Sequence, residues 1–413
     1  MTALGSRAAA SAANPAASPP RARKALVGAC AAACATGWNN TNLGAIASTL
    51  AHQYGVSLAE VGLFTTALFL THMAMQVPAG KASERFGARR TALAGLAVLA
   101  TANAAALAAG SPALVFGTRA LMGVGTGLTF VSGSAYVRES GGSPFAQGLY
   151  GGIGLGGGGL AIVVVPQVVG ALGWRAPFAT ALLVSAAAFA ILLACPRDLP
   201  WHRPHRPDGV PSRLFRDLRL YRLAVVYAAS LGLSIVIGNW IVTLLERSAN
   251  VASSAAGIVG GLALLLPIAS RPLGGWILRT HPQRVRTAVA LSLAGGGIGT
   301  LALVVGKPLP VAAAGALLVG IAAGIPFAPA FLGAAQLRPD SPVAAVGLVN
   351  AAASAVVVAG TPLLGWSFSL PGSGRIGFAL VAVLWLGSLL AVPSNHELGA
   401  PDPAAQLAGP GAR

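Results

Sequence analysis

Residues Gln76-Val77-Pro78-Ala79-Gly80-Lys81-Ala82-Ser83-Glu84-Arg85-Phe86-Gly87-Ala88-Arg89-Arg90 follow one long apolar run and precede another. Each run is close to the about 20 residues that a helix needs to cross a hydrocarbon core of about 30 Å. The stretch therefore reads as a compact, strongly basic turn joining two membrane-crossing helices. Charge this dense does not sit in lipid, and apolar runs this long are not left in water.

The rest of the composition agrees. The 413-residue chain is 55% hydrophobic and 9% charged, against roughly 25% charged in soluble domains. Only helices or a closed barrel satisfy every backbone group in lipid. The apolar runs are continuous rather than alternating in segments of about ten residues, so helices are expected and a barrel is not. The fold class is all-α membrane protein. The net charge of +17 follows the loops instead of gathering with base-contacting modules, so no nucleic acid is expected as a partner. Cys30, Cys34 and Cys195 show no metal-ligand spacing with His and read as packing residues. No metal and no cofactor are expected.

Apolar runs bounded by charges, Pro or Gly clusters predict twelve helices, at 25–49, 59–80, 91–109, 112–136, 146–170, 176–194, 221–245, 254–278, 286–305, 309–335, 342–366 and 375–392. Cytoplasmic loops carry the excess of Lys and Arg. With the N-terminus inside, the external loops hold only Arg175, Arg247, Lys307 and Arg375, two cations (Arg119 and Arg271) lie within spans, and 21 of the 27 fall on the inner side. Both termini are therefore expected in the cytoplasm of a cell-membrane protein. Residues 1–24 read as a disordered tail, since the apolar stretch after them is too long for a cleavable signal. Residues 25–194 form one set of six helices, 195–220 a basic linker, 221–392 a second set of six, and 393–413 a tail. In the linker, Leu214, Phe215, Leu218 and Tyr221 offer an apolar side for an amphipathic helix on the anionic inner leaflet; a connection held inside by its charge is the alternative.

The two halves repeat. Without gaps, Gln76–Arg89 lies against Arg271–Arg284, so that Gly80 meets Gly275, Glu84 meets Arg279 and Arg89 meets Arg284. Internal duplication of this kind marks transporters built from repeated helical units. The spacing of Gly80, Glu84-Arg85, Gly87 and Arg89-Arg90 resembles the loop between helices 2 and 3 of the major facilitator superfamily, with Glu84 where the family usually has Asp. Arg119-Ala120-Leu121-Met122-Gly123-Val124-Gly125 resembles its helix 4 motif. The fifth span, with Gly148, Gly151, Gly152, Gly154, Gly156, Gly157, Gly158 and Gly159, resembles that of nitrate/nitrite porters and cyanate-permease-like members, and Gly173-Trp174-Arg175 is also typical of the superfamily. The drug-antiporter motif is matched only in part, by Pro166 and Gly170, with Val165 and Val169 where that motif has Gly.

The resemblance implies twelve transmembrane helices in two pseudo-symmetric six-helix bundles, and transport by alternating access. It also implies a conformational latch at Gly80, Glu84, Arg85, Gly87 and Arg89, which would hold the halves together on the cytoplasmic side. Nitrate porters carry a binding Arg in helix 2 and another in helix 8. Arg271 matches the second, and Gln76 stands where the first is expected.

A charge inside a bilayer is costly, so ionisable groups within spans are functional candidates. None of the ten acidic residues falls in mid-span. What remains is positive or neutral: Arg119, Arg271, His72, Gln76, and the amides Asn39, Asn42, Asn239 and Asn350, which together form the expected substrate-binding set. Arg119 reads either as a substrate or coupling group or as a donor to the carbonyls of a neighbouring helix. Arg271 reads either as an anion ligand, its rigid fork matching two oxygens at once, or as a side chain snorkelling to the interface. The polar cluster Trp38-Asn39-Asn40-Thr41-Asn42 and the pair Asn239-Trp240 place amides in the first helix of each half, where unpaired groups are expensive. With no Ser-His pair, metal cluster or paired carboxylates within the spans, an enzyme is not expected. The expected function is secondary transport of a small solute, with an anion favoured by the positive interior. The alternatives are export of amphipathic drugs or metabolites, and a non-transporting solute sensor on the same fold. The expected partners are the solute and the lipid bilayer, with the chain acting as a monomer.

Overall fold

Helices begin where the sequence supplies caps. Ser57 accepts from the Glu60 amide at 3.2 Å while Glu60 accepts from the Ser57 amide at 2.7 Å, a reciprocal box that satisfies two end donors. Ser111 and Ser143 likewise accept from Leu114 and Ala146. The computed structural model describes residues 19–197 and 216–400, and these are helical almost throughout, with no strand among them. The expected tail over residues 1–18, most of the linker with Leu214 and Phe215, and the tail beyond 400 lie outside the described residues.

The N-terminal half contains α1 (Pro19–Thr41), α2 (Ala47–Tyr54), α3 (Leu58–Ala74), α4 (Gln76–Phe86), α5 (Ala88–Ala106), α6 (Pro112–Glu139), α7 (Pro144–Leu172) and α8 (Ala176–Leu193). The C-terminal half contains α9 (Leu218–Tyr227), a π-helical segment (Ala228–Leu233), α10 (Ser234–Ala249), α11 (Ser253–Leu265), α12 (Pro267–Thr280), α13 (Val285–Val305), α14 (Leu309–Ala322), α15 (Phe327–Leu337), α16 (Pro342–Ser367) and α17 (Arg375–Gly387). Helix occupies each of the twelve intervals expected from the sequence. Among the described residues, seven helical stretches are long and apolar enough to cross a bilayer, and the pair Gly44–Tyr54 and Leu58–Ala74 would add an eighth despite a 120° bend. The other expected spans carry basic first turns, polar clusters or a short final helix.

Three expectations are corrected in detail. The stretch from Gln76 to Phe86 is helix, not turn; the reversal is confined to Gly87, whose φ of 95° is a region that favours glycine. Pro78 explains the break just before it, because its missing N–H leaves the Ala74 carbonyl without an intrahelical donor, and α3 ends there. The first expected helix is interrupted after Thr41, where Asn42 turns its amide to Pro177 at 2.9 Å and a 3-10 turn, Gly44–Ile46, leads into α2. The first residues of the expected N-terminal tail that are described, from Pro19, already belong to α1.

The halves meet along two seams. In one, α3 packs on α16: Thr66 donates to the Val358 carbonyl at 2.7 Å, and a side chain at Gly62 would come within 2.7 Å of Pro362 Cα. In the other, α7 runs antiparallel to α11 and α12, from Gln167 bonded to the Ser254 carbonyl at 3.3 Å down to Gly148 beside Pro272. Past the break at Met75, α4 leans on α5 and α6. The α3–α16 seam is thus tightest at the end remote from the basic segment. At the basic end, Arg89 donates to the Leu192 carbonyl at 3.0 Å and also reaches that of Leu193, tying α5 to the last turn of α8. In the other half, Arg222 donates to Val392 at 3.0 Å after α17.

Candidate functional site

Close approach of helices builds the centre. On α7, a methyl at Gly157 would lie 2.2 Å from the Cys34 carbonyl oxygen of α1, and one at Gly151 only 2.7 Å from Nη1 of Arg271. Small residues let backbones approach this closely, and here they expose the Gly151 carbonyl to a cation from the other half.

Arg271 on α12 is 2% exposed. Its Nη1 donates to the Gly151 carbonyl at 2.9 Å, and its guanidinium carbon stands 4.2 Å from the centre of the Phe327 ring of α15. The Tyr227 side chain of α9 lies beside it, and Tyr227 and Phe327 pack with Phe331 in an aromatic cluster. By distance and angle Nε and Nη2 of Arg271 make no hydrogen bond, although the Tyr227 side chain lies close enough to act on the cation as a hydrogen-bonding neighbour. A desolvated cation over an aromatic face gains up to about 2 kcal/mol, which does not satisfy two unpaired N–H groups. The side chain is buried between helices of both halves, so it does not snorkel to an interface.

The other expected residues divide into separate groups. Arg119, fully buried, donates to the Phe64 carbonyl at 3.4 Å and to Oδ1 of Asn42 at 3.3 Å, while Nη2 is unpaired. Its bonds are those of a donor to neighbouring helices within the N-terminal half. Asn39 accepts from Asn103 at 2.9 Å and so faces α5. Asn239 bridges the halves, donating to the Asn40 carbonyl and accepting from Thr65, each at 3.4 Å. His72 meets Thr126 at 3.0 Å, and its ring lies between those of Phe69 and Phe130. Gln76, half-buried, reaches the His72 carbonyl at 3.5 Å. Asn350 is half-buried on α16, with its carbonyl accepting from Ser354.

The wall of α7 links two of these groups. Gly154 faces Phe130, which packs on Tyr150, and Gly151 faces Arg271 and Phe327. Sequence reading missed Tyr227, Phe327, Thr126 and Asn103. Tyr227 carries one usable signal, since the π-helical segment begins directly after it and such irregularities concentrate at functional sites. Of the latch positions, Glu84 and Arg85 lie on the exposed side of α4, Gly80 has open space around it, and Arg89 is buried. Among the described residues, no cluster of His, Cys, Asp or Glu is placed to hold a metal.

The profile of the Major Facilitator Superfamily matches residues 29–362. The chain is 27% identical over 332 residues to proteins of two Mycobacterium tuberculosis strains, CDC 1551 / Oshkosh and ATCC 25618 / H37Rv, described as "Probable nitrate/nitrite transporter NarK2", covering 76% of this chain and 81% of theirs. Among solved structures it resembles the nucleoside transporter NupG, with TM-score 0.71, 13% identity and coverage of 90% of this chain and 98% of that one. It also resembles the human organic anion transporter MFSD10, with TM-score 0.66, 18% identity and coverage of 91% and 100%. These structures share the fold. The chain therefore belongs to the major facilitator superfamily and is an integral multi-pass membrane protein that transports a small molecule and is not an enzyme.

Proposed function

We propose that the transported solute is a small planar anion and that Arg271 is its principal ligand. The observation that carries this reading is a guanidinium buried between the halves, two of whose three nitrogens make no hydrogen bond of ordinary geometry, with Tyr227 beside it and no carboxylate paired with it among the described residues. An uncompensated charge in a bilayer costs several kcal/mol, and an anion with two oxygens would complete the site. Tyr227 lines it, and Gln76 stands with an amide where nitrate porters carry their helix 2 Arg. The NarK2 relatives carry nitrate or nitrite in their description, which makes nitrate the first anion to try. Alternating access would then proceed by rocking of the two halves about this level, with both termini on the cytoplasmic side and the α3–α16 seam as the closed external gate.

Purified protein in liposomes tests the reading. Nitrate counterflow should be present in the wild type and reduced about 10–100-fold in R271Q. Drug accumulation without anion exchange would instead support an exporter, and solute binding without flux a sensor.

A further inference from the structure

His72 is a further ionisable group buried in the N-terminal half, and its hydrogen bonds bear on its state. Thr126 spends its hydroxyl proton on the Gly123 carbonyl at 3.0 Å. A hydroxyl has one proton to give; with that proton directed at Gly123, Thr126 Oγ1 accepts across its 3.0 Å contact with His72 Nδ1, and the ring proton is assigned to Nδ1 on that basis. Nε2 then carries the bare lone pair. Among the described residues it has no hydrogen-bond partner and it is not among the fully sealed polar atoms, so this edge of a side chain that is 6% exposed keeps a narrow opening.

The direction of that edge follows from the helix. On α3 and its continuation, Leu63, Leu70, Ala74 and Val77 are exposed and share one face, the lipid side. At 3.6 residues per turn His72 lies about 180° from the middle of that face, on the side shared with Val61, Thr65 and Leu68, which are buried.

We infer that His72 is the proton carrier of the transport cycle, taking up and releasing at Nε2 one proton for each anion moved. This rests on the anion reading above. A proton from water on the loading side passes to the Nε2 lone pair, leaving hydroxide in that solution and forming an imidazolium that still donates through Nδ1 to Thr126. The proton and the anion cancel in charge, so the carrier bears the same charge loaded as empty and each cycle moves no net charge across the bilayer; the proton returns to water on the far side.

No carboxylate stands ready for the task. Of the elements packed on α3, α16 has no ionisable residue, and α2 has His52 and Tyr54 beyond the other end of α3. Helix α1 has Cys30 and Cys34, with Arg21, Arg23 and Lys24 in its first turns. Helix α6 has Arg119, Tyr136, Arg138 and a terminal Glu139, and α4 has Lys81, Glu84 and Arg85. Arg119 lies on the same face of α6 as Thr126, about 10 Å along the helix from it. Among the described residues the imidazole meets Thr126 and the two Phe rings.

The test uses the whole protein in liposomes with a trapped pH dye and the membrane potential clamped. An inward nitrate gradient should acidify the lumen with the wild type. H72N keeps an N–H able to reach Thr126 and cannot titrate; the protons moved per nitrate should fall to the level of protein-free vesicles, whatever nitrate flux remains. An unchanged ratio overturns the inference. Should H72N carry no nitrate at all, T126V serves instead: freeing the tautomer should displace the pH midpoint of nitrate uptake, and an unmoved profile overturns the inference. Absence of nitrate counterflow in the wild type overturns the anion reading itself, whereas counterflow without any proton movement overturns only the role of His72.

Discussion

Nη1 of Arg271 donates to the carbonyl of Gly151 at 2.9 Å, so a cation of the C-terminal half is steered by the backbone of the N-terminal half. The bond leaves Nε and Nη2 for a ligand. Lysine at this position would keep the charge and lose the fork, so R271K is expected to retain insertion yet lower anion transport by about tenfold or more. R271Q loses a charged hydrogen bond worth about 1.5–3 kcal/mol, or about 10–100-fold. Initial rates of nitrate uptake in liposomes check both.

A second expectation concerns glycines of α7. Alanine at Gly157 would set a methyl 2.2 Å from the Cys34 carbonyl oxygen and 2.7 Å from its Cα. Backbone cannot yield cheaply, so G157A should cost about 1–3 kcal/mol, read as a fall in thermal midpoint in detergent. G170A is the contrast, since nothing lies within 4 Å of a methyl there; it should be neutral or stabilising by about 0.5–1 kcal/mol.

What the sequence displayed and what it concealed differ for physical reasons. Apolar runs of span length and the basic segment at Gln76–Arg90 announced the membrane helices, because lipid leaves few alternatives to a helix. Helix breaks at Met75 and Leu43 were hidden, since Pro78 and Asn42 act through single hydrogen bonds that leave the hydropathy profile intact. Arg271 was visible as a charge in an apolar run. Its partners Gly151, Phe327 and Tyr227 were not, because they come from α7, α15 and α9, and ordinary glycine and aromatic residues carry no mark of the cation they will meet. Asn39 and Arg119 were visible for the same reason as Arg271, yet packing turned them into the N-terminal half, a choice set by Asn103 and Asn42 that spacing alone leaves open.

Acid sensitivity should arise outside the spans. Glu397 pairs with Arg222 at 3.6 Å and accepts from the Ser394 amide at 2.9 Å, and Asn395 beside it bonds the Arg286 amide at 2.7 Å, so this segment fastens the ends of α9 and α13. Burial pushes the Glu397 carboxyl up, but the Ser394 bonds and the nearby Arg222 and Arg219 outweigh it and hold the group below its ordinary value. A depressed folded value means stability that is present above the unfolded value, about 4.3, and lost as pH falls through the folded one. With the Arg222 side chain 43% exposed, screening limits the pair to about 0.2–1 kcal/mol. E397Q should lower the thermal midpoint slightly at pH 7 and flatten its decline between about pH 5 and pH 3; an unchanged slope would remove Glu397 from the account.

The latch proposed for the basic segment makes the last prediction. Glu84 sits on the exposed side of α4, at the end of the molecule where Arg89 ties α5 to α8. Across the seam, α16 begins at Pro342 with no side-chain cap from Ser341, so its first amides and their partial positive charge offer a carboxylate a place to dock when the halves close at this end. Loss of such a charged contact is worth about 1.5–3 kcal/mol in the closed state alone. E84A should therefore insert normally and transport about tenfold or more slowly, E84D should retain most activity, and S341D, which places a carboxylate on this helix end in both states and repels Glu84, should itself slow transport if the docking is to this helix end. Full transport by E84A would sink the latch.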